Sequence, residues 1–202
     1  MSHWVCRNTR SERDGSVTIT AVKEHLELRM WTGLSQRDFA KILGVTQPAV
    51  AAYESGKRTP IARVAARYAE IDAATTAPSR HYGEFRGRPI EFPAEPWKPI
   101  VQKSGVLRLP GFIDWSYLKD RDLSIRAERL AMYVLVMSEG RPFDMRLWVD
   151  PKEFAEVLPE LHLPRHLYGP IEEWITDIGL RNAAYTVIAL TGQGRNHPGQ
   201  GS

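Results

Sequence analysis

One cysteine, Cys6, is the entire thiol content of the chain, which excludes an intrachain disulfide framework and a cysteine-rich zinc site. A reducing cytoplasm is the natural home for such a composition. No apolar run approaches the roughly 18 residues needed to cross a bilayer, and the opening MSHWVCRNTRSERDG lacks the apolar core of a signal peptide. The expectation is a soluble cytoplasmic protein with no membrane partner. Internal repeats are absent, and so are the usual marks of catalysis. The TGQG run lies near the end without a strand and helix around it, so no glycine loop is set to cradle a phosphate. No serine sits in a G-x-S-x-G turn. His162 and His166 have the i, i+4 spacing of a zinc pair, but Pro164 lies between them and no Glu follows the first. Glu172, Glu173 and Asp177 mark one polar helix side rather than an acid–base pair. These absences argue against an enzyme, a cofactor and a metal site.

What is present begins with size: 202 residues at 43% hydrophobic content suffice for two small domains with real cores. Net charge is only +3, but it is unevenly spread. Residues 1 to 108 hold 17 Lys+Arg against 11 Asp+Glu, a balance of +6, and residues 109 to 202 hold 10 against 13, a balance of −3. A basic front half suits phosphate. An acidic rear half suits protein contact.

The run LSQRDFAKILGVTQPAVAAYESGKRTP, residues 34 to 60, reads as two short helices joined by a tight turn. Ser35 with Asp38 three residues on is a capping-box-like start, and the acid suits the positive end of a helix. Phe39, Ala40 and Leu43 follow at helical spacing, with Ala40 small enough for a second helix to cross closely. Gly44 ends this helix, because glycine enters the left-handed conformation without a steric penalty. Val45 plugs the turn, Thr46 is placed to cap the next helix, and Pro48 is tolerated in its first turn. Val50 and Tyr53 face inward, which leaves Gln47, Ala49, Ala51 and Ala52 for the outer surface. An ordinary amphipathic helix would carry Lys and Glu there. A bare face fits a groove: Gln bonds adenine in bidentate fashion and Ala meets a thymine methyl. Lys57 and Arg58 then stand where a duplex backbone would pass.

These residues resemble the Xre/Cro-like helix-turn-helix regulators over about residues 22 to 72. The resemblance implies four or five helices, a phosphate clamp at Gln36, a base reader at Gln47, and a buried ion pair formed by Arg29 and Glu54. Pro48 and Ala52 depart from the pattern, standing where many relatives place polar base readers, so the operator sequence does not follow. The expected DNA-contacting set is Ser35, Gln36, Arg37, Thr46, Gln47, Pro48, Ala49, Ala52, Lys57 and Arg58.

Along the rest of the chain, residues 1 to 20 read as a disordered basic arm. Residues 21 to 32 read as helix one, with Leu28 its surest core residue. Residues 61 to 73 read as a fourth helix whose stripe is Ile61, Val64, Ala65, Tyr68 and Ile71, with Arg63 and Arg67 on a face that could meet phosphate. The helix-turn-helix unit thus spans 21 to 73. Pro78, Pro89, Pro93, Pro96 and Pro99 deny regular helix and predict an extended connector over 74 to 108, with Trp97, Ile100 and Val101 apolar enough to dock. From 109 to 190 a mostly helical domain is expected. Ser124 caps a helix running to Gly140 on a stripe of Leu130, Tyr133, Val134 and Met137. MRLWVD, 145 to 150, alternates like a short strand. Asp150 and Pro151 open a helix with Phe154, Val157 and Leu158, stopped by Pro159. Pro170 opens another with Ile171, Trp174, Ile175 and Ile178, stopped by Gly179. YTVIAL reads as a strand or helical end, and 191 to 202 as a disordered tail. Trp115, Trp148 and Trp174 are candidates for a ligand pocket, although such aromatics are more often core.

The stretch from Asp114 to Trp174, with DWS, RDL, RAERL, SEGRP, WVD and LPRHL, is similar to rear regions of actinobacterial helix-turn-helix antitoxins and regulators encoded beside a nucleotidyltransferase-like or other toxin. The resemblance implies a partner-binding or dimerising half. The fold expected is therefore mainly α: a helix-turn-helix domain, a Pro-rich linker and a mostly helical rear domain with a short strand or two. The function expected is a transcriptional repressor and antitoxin that binds double-stranded DNA at a palindromic operator as a homodimer, and a toxin through its rear half. The alternative is a regulator whose rear half senses a small molecule.

Overall fold

A computed structural model describes residues 17–101, 104–115 and 119–180, with side chains from Glu24 onward. The expected basic arm up to residue 16, YTVIAL and the tail lie outside the described residues. The chain is mainly α. Four helices come first: α1 (Val17–Thr32), α2 (Gln36–Leu43), α3 (Gln47–Glu54) and α4 (Ala62–Thr76). Two antiparallel ribbons follow, β1 (Ser79–Phe85) with β2 (Arg88–Pro93), and β3 (Val106–Arg108) with β4 (Asp120–Asp122). Four more helices complete the order: α5 (Arg126–Glu139), α6 (Pro142–Trp148), α7 (Pro151–Val157) and α8 (Tyr168–Asp177). Among the described residues no helix is long and apolar enough to cross a membrane.

Several elements depart from the sequence reading. α1 begins at Val17, before residue 21, and Leu28 is half-buried against the core rather than fully enclosed. In α4, Val64, Tyr68, Ile71 and Ala74 are buried, while Ile61 and Ala65 are exposed, so the inner stripe lies further along. Residues 79 to 93 hold no helix, as the prolines require, but form a hairpin. Its two-residue turn, Arg86-Gly87, has φ +52° and +74°, the geometry that suits the twist of a hairpin. Tyr82 and Phe92 point from it into the core. Trp97, Ile100 and Val101 dock as their apolar character suggests: Trp97 Nε1 donates to the Val149 carbonyl at 3.1 Å, and the Val101 amide to Leu147 at 3.0 Å.

Ser124 does not cap α5. Its hydroxyl and amide both bond Asp122, at 2.6 and 3.0 Å. The buried face of α5 is Met132, Tyr133, Val136 and Met137, with Leu130 and Val134 only half-covered, a rotation of the expected stripe. Residues 145 to 150 are not a strand. Pro142 in the first turn and the Asp144 carboxylate, which accepts the Arg141 amide at 2.8 Å, start a helix instead. All of Phe143 to Val149 is buried, and the Arg146 guanidinium reaches the Pro78 carbonyl. The apparent polar alternation was a buried arginine. α7 opens as expected, Asp150 accepting from the Lys152 and Glu153 amides at 2.9 and 3.2 Å; Pro159 lies in a 3-10 turn that follows it. α8 starts two residues before Pro170 and closes at Gly179 with φ +69°.

A single cluster of buried apolar side chains runs from Leu34 to Ile178. At its centre Trp174 stacks near Phe92, Trp97 and Phe154, with ring centroids 5.0, 5.9 and 6.0 Å away, and donates to the Pro93 carbonyl at 2.9 Å. Trp148 is also buried, whereas Trp115 is 74% exposed. The three tryptophans therefore do not frame a common pocket.

Candidate nucleic-acid interface

The turn between α2 and α3 is built by its own side chains. Ser35 Oγ accepts the Asp38 amide at 3.1 Å and donates to the Asp38 carboxylate at 2.6 Å, satisfying an otherwise orphan donor. Gly44 takes the left-handed conformation, φ +65° and ψ +41°. Val45 packs against the core, its amide donating to the Ala40 carbonyl at 2.9 Å. Thr46 precedes α3 in an extended conformation, but its hydroxyl makes no capping bond, contrary to expectation. Its carbonyl accepts the Ala49 and Val50 amides instead, at 3.0 and 3.3 Å. Val50 and Tyr53 are buried.

Behind the turn lies a compact polar cluster. Arg29 Nε approaches Glu54 Oε1 at 2.5 Å, Nη2 lies 3.3 Å from Oε2, and Nη1 donates to the Leu34 carbonyl at 2.9 Å. The pair is largely buried, with 16% and 5% of the side chains exposed. Gln36 Nε2 donates to Glu54 Oε2 at 2.8 Å, so the residue expected to clamp a phosphate is oriented by the same carboxylate. Sequence reasoning did not anticipate the next two members. The His25 ring lies 4.2 Å from that of Tyr68, and His25 Nδ1 and the Tyr68 hydroxyl are buried without a hydrogen-bond partner. Burial lowers the His25 pKa, against a smaller upward pull from Glu54. Burial, with Glu54 and Tyr53 beside it, raises that of Tyr68. His25 and Arg29 share an i, i+4 face, the one sequence signal that could have found the first.

On the outer side, Gln47 and Pro48 are exposed and Ala51 and Ala52 are half-buried, while Glu54, the one charged residue of α3, is buried. Ala49 is half-buried and packs against the core, so its place on the outer strip is only partial. Lys57 and Arg58 are exposed, and the Arg58 amide donates to the Ala52 carbonyl at 3.2 Å. Among the described residues neither cation meets a carboxylate. Arg37 is exposed and lies 3.4 Å from Asp120 on β4. Lys41 bonds Asp38 at 3.0 Å and the Val106 carbonyl on β3 at 2.6 Å. The two α4 arginines serve the protein itself. Arg63 reaches the Gly44 carbonyl at 3.2 Å, and Arg67 bonds Glu70 at 2.7 Å and the Ile42 and Ile100 carbonyls. These bonds turn Arg67 inward, away from the phosphate role its spacing suggested. His166 stacks on Phe85, ring centroids 3.7 Å apart.

A family profile described as helix-turn-helix, of the Xre/Cro-like kind, matches residues 26–72. No curated protein and no solved structure matches the chain. The matched residues cover the latter part of α1 and all of α2 and α3, ending within α4. The match supports a DNA-binding transcription regulator with residues 26–72 as its helix-turn-helix, a regulatory rather than enzymatic type of domain.

Proposed function

We propose that the protein is a sequence-specific repressor and an antitoxin, which represses its own operon through the helix-turn-helix and binds a toxin protein through its rear half. The observation that carries the DNA-reading part is the outward side of α3. Gln47, Pro48 and Ala52 offer a surface without Lys or Glu, and two uncompensated cations, Lys57 and Arg58, follow at once. Gln47 and Ala52 would meet base edges, with Ala49 and Pro48 filling the space beside them. Ser35, Gln36, Arg37, Thr46, Lys57 and Arg58 would hold the backbone. One recognition helix spans few base pairs, so a homodimer on a palindrome, with half-sites ~34 Å or a multiple apart, supplies affinity. The acidic balance of residues 109 to 202 and their likeness to antitoxin rear regions support the toxin-binding part. A groove of about 470 Å³ in the rear half, lined by Leu130, Val134, Leu135 and Leu161 with Asp114 and Arg121 at its polar side, favours the second reading, a small-molecule sensor, because its volume suits such ligands.

The test is co-expression of the full chain with the neighbouring reading frame, followed by duplex binding to the upstream region. Co-purification of a partner whose presence changes operator affinity supports the antitoxin. Absence of salt-sensitive duplex binding contradicts the repressor, and a melting shift with a small metabolite in place of a protein partner selects the sensor.

A further inference from the structure

We infer that the surface that meets the DNA backbone extends beyond the helix-turn-helix onto the β3–β4 ribbon, where Arg108 works beside Arg37 as a phosphate-contacting residue. This rests on the reading that the Ser35 to Arg37 end of α2 faces a backbone. Arg108 lies outside the residues that match the family, and nothing in the 34 to 60 run points to it.

Asp120 joins the two cations. Its Oδ2 lies 3.4 Å from Arg37 Nη2 and its Oδ1 accepts from Arg108 Nε at 2.9 Å. One carboxylate between two guanidiniums leaves a surplus positive charge. Arg108 uses only Nε in this contact, so both of its terminal amino groups remain for an anion. The side chains are reachable, with 61% of Arg37, 46% of Arg108 and 37% of Asp120 exposed. Their placement is fixed from two sides. Arg108 and Asp120 are cross-strand partners in the ribbon, and Lys41 of α2 clips that ribbon through the Val106 carbonyl. Arg108 therefore stands at a set distance from α2 rather than drifting past it. Asp120 stays ionised well into acid, its carboxyl held below the usual range chiefly by the Arg108 bond. A phosphate fits this arrangement better than a protein carboxylate does, because the surplus charge adjoins the residues assigned to the backbone. The contact is indifferent to sequence, as backbone contacts are.

The experiment measures binding of the full chain to a random-sequence duplex of about 30 base pairs by fluorescence anisotropy across a KCl series. Arg108→Ala is expected to bind about three- to tenfold more weakly at low salt, with the slope of log affinity against log salt reduced by about one. Asp120→Asn breaks the bridge without removing a cation, and is expected to bind at least as tightly as the unaltered chain. If Arg108→Ala matches the unaltered chain while Lys57→Ala weakens it, Arg108 makes no contact and the helix-turn-helix reading stands. If Asp120→Asn weakens binding as much as Arg108→Ala, the ribbon acts only by holding Arg37 and the inference is overturned. Failure of the unaltered chain to bind any duplex removes both.

Discussion

Glu54 is the residue on which the reading unit turns. Its carboxylate takes Arg29 from α1 and Gln36 from α2 while sitting at the end of α3, so three helices are registered by one side chain. Glu54→Ala leaves Arg29 largely buried without its counter-charge, and should cost ~3 to 5 kcal/mol of unfolding free energy, read from denaturant melts. The partnership of Arg29 and Glu54 was legible because both fall at fixed places in a recognisable pattern. The tether on Gln36 was not, since the same pattern assigns that side chain to phosphate. His25 offers a second prediction. Its folded-state pKa lies below the ordinary value of 6.5 because burial disfavours the charged ring. Folding therefore releases a proton around that pH: the stability from the neutral ring is complete above about 6.5 and is lost as pH falls through the lower folded value. The melting temperature should drop between about pH 7.5 and about pH 5.5, and His25→Phe should flatten the drop. An equal drop in the variant contradicts the assignment.

Elements closed by a cap or a glycine could be read from the chain. α2 starts at Ser35 and stops at Gly44, and α7 opens on Asp150 and Pro151, because each signal acts within one helical turn. Elements that depend on distant partners could not. The β1–β2 hairpin was hidden by its prolines, which are tolerated because a two-stranded ribbon consists of edges alone. Pro89 and Pro93 both lie in β2, opposite Glu84 and Ser79. α6 was hidden by a buried arginine that imitates the solvent side of a strand. The hairpin turn carries a strained position, Arg86 at φ +52°. Asparagine tolerates that region better, so Arg86→Asn should stabilise the protein by up to about 1 kcal/mol, seen as a raised melting temperature. A loss of stability would show that the Arg86 contact over the Phe85 ring, 5.1 Å from its centroid, outweighs the strain.

At the scale of the whole molecule, the front four helices and the rear helices share a continuous apolar core, with Trp174 of α8 touching the hairpin and the connector. Residues 74 to 108 thus do more than tether. They carry the ribbon strand that bonds α2, and Arg146 of α6 reaches back to Pro78. A partner bound to the rear half would accordingly press on the same elements that flank α3, a physical route from the rear half to the helix-turn-helix. The uneven charge of the chain was visible in the sequence, but this contact between halves was not, because no local spacing encodes it. The account is tested most directly by selecting duplexes from a random pool with the full chain, and repeating the selection with Gln47→Ala. It predicts a two-fold-symmetric site for the unaltered chain, and in the variant a loss of preference of ~1 to 3 kcal/mol at one position of each half-site, the rest of the site being unchanged. Recovery of the same ranked sequences from both proteins, or of no preferred sequence from either, would contradict it.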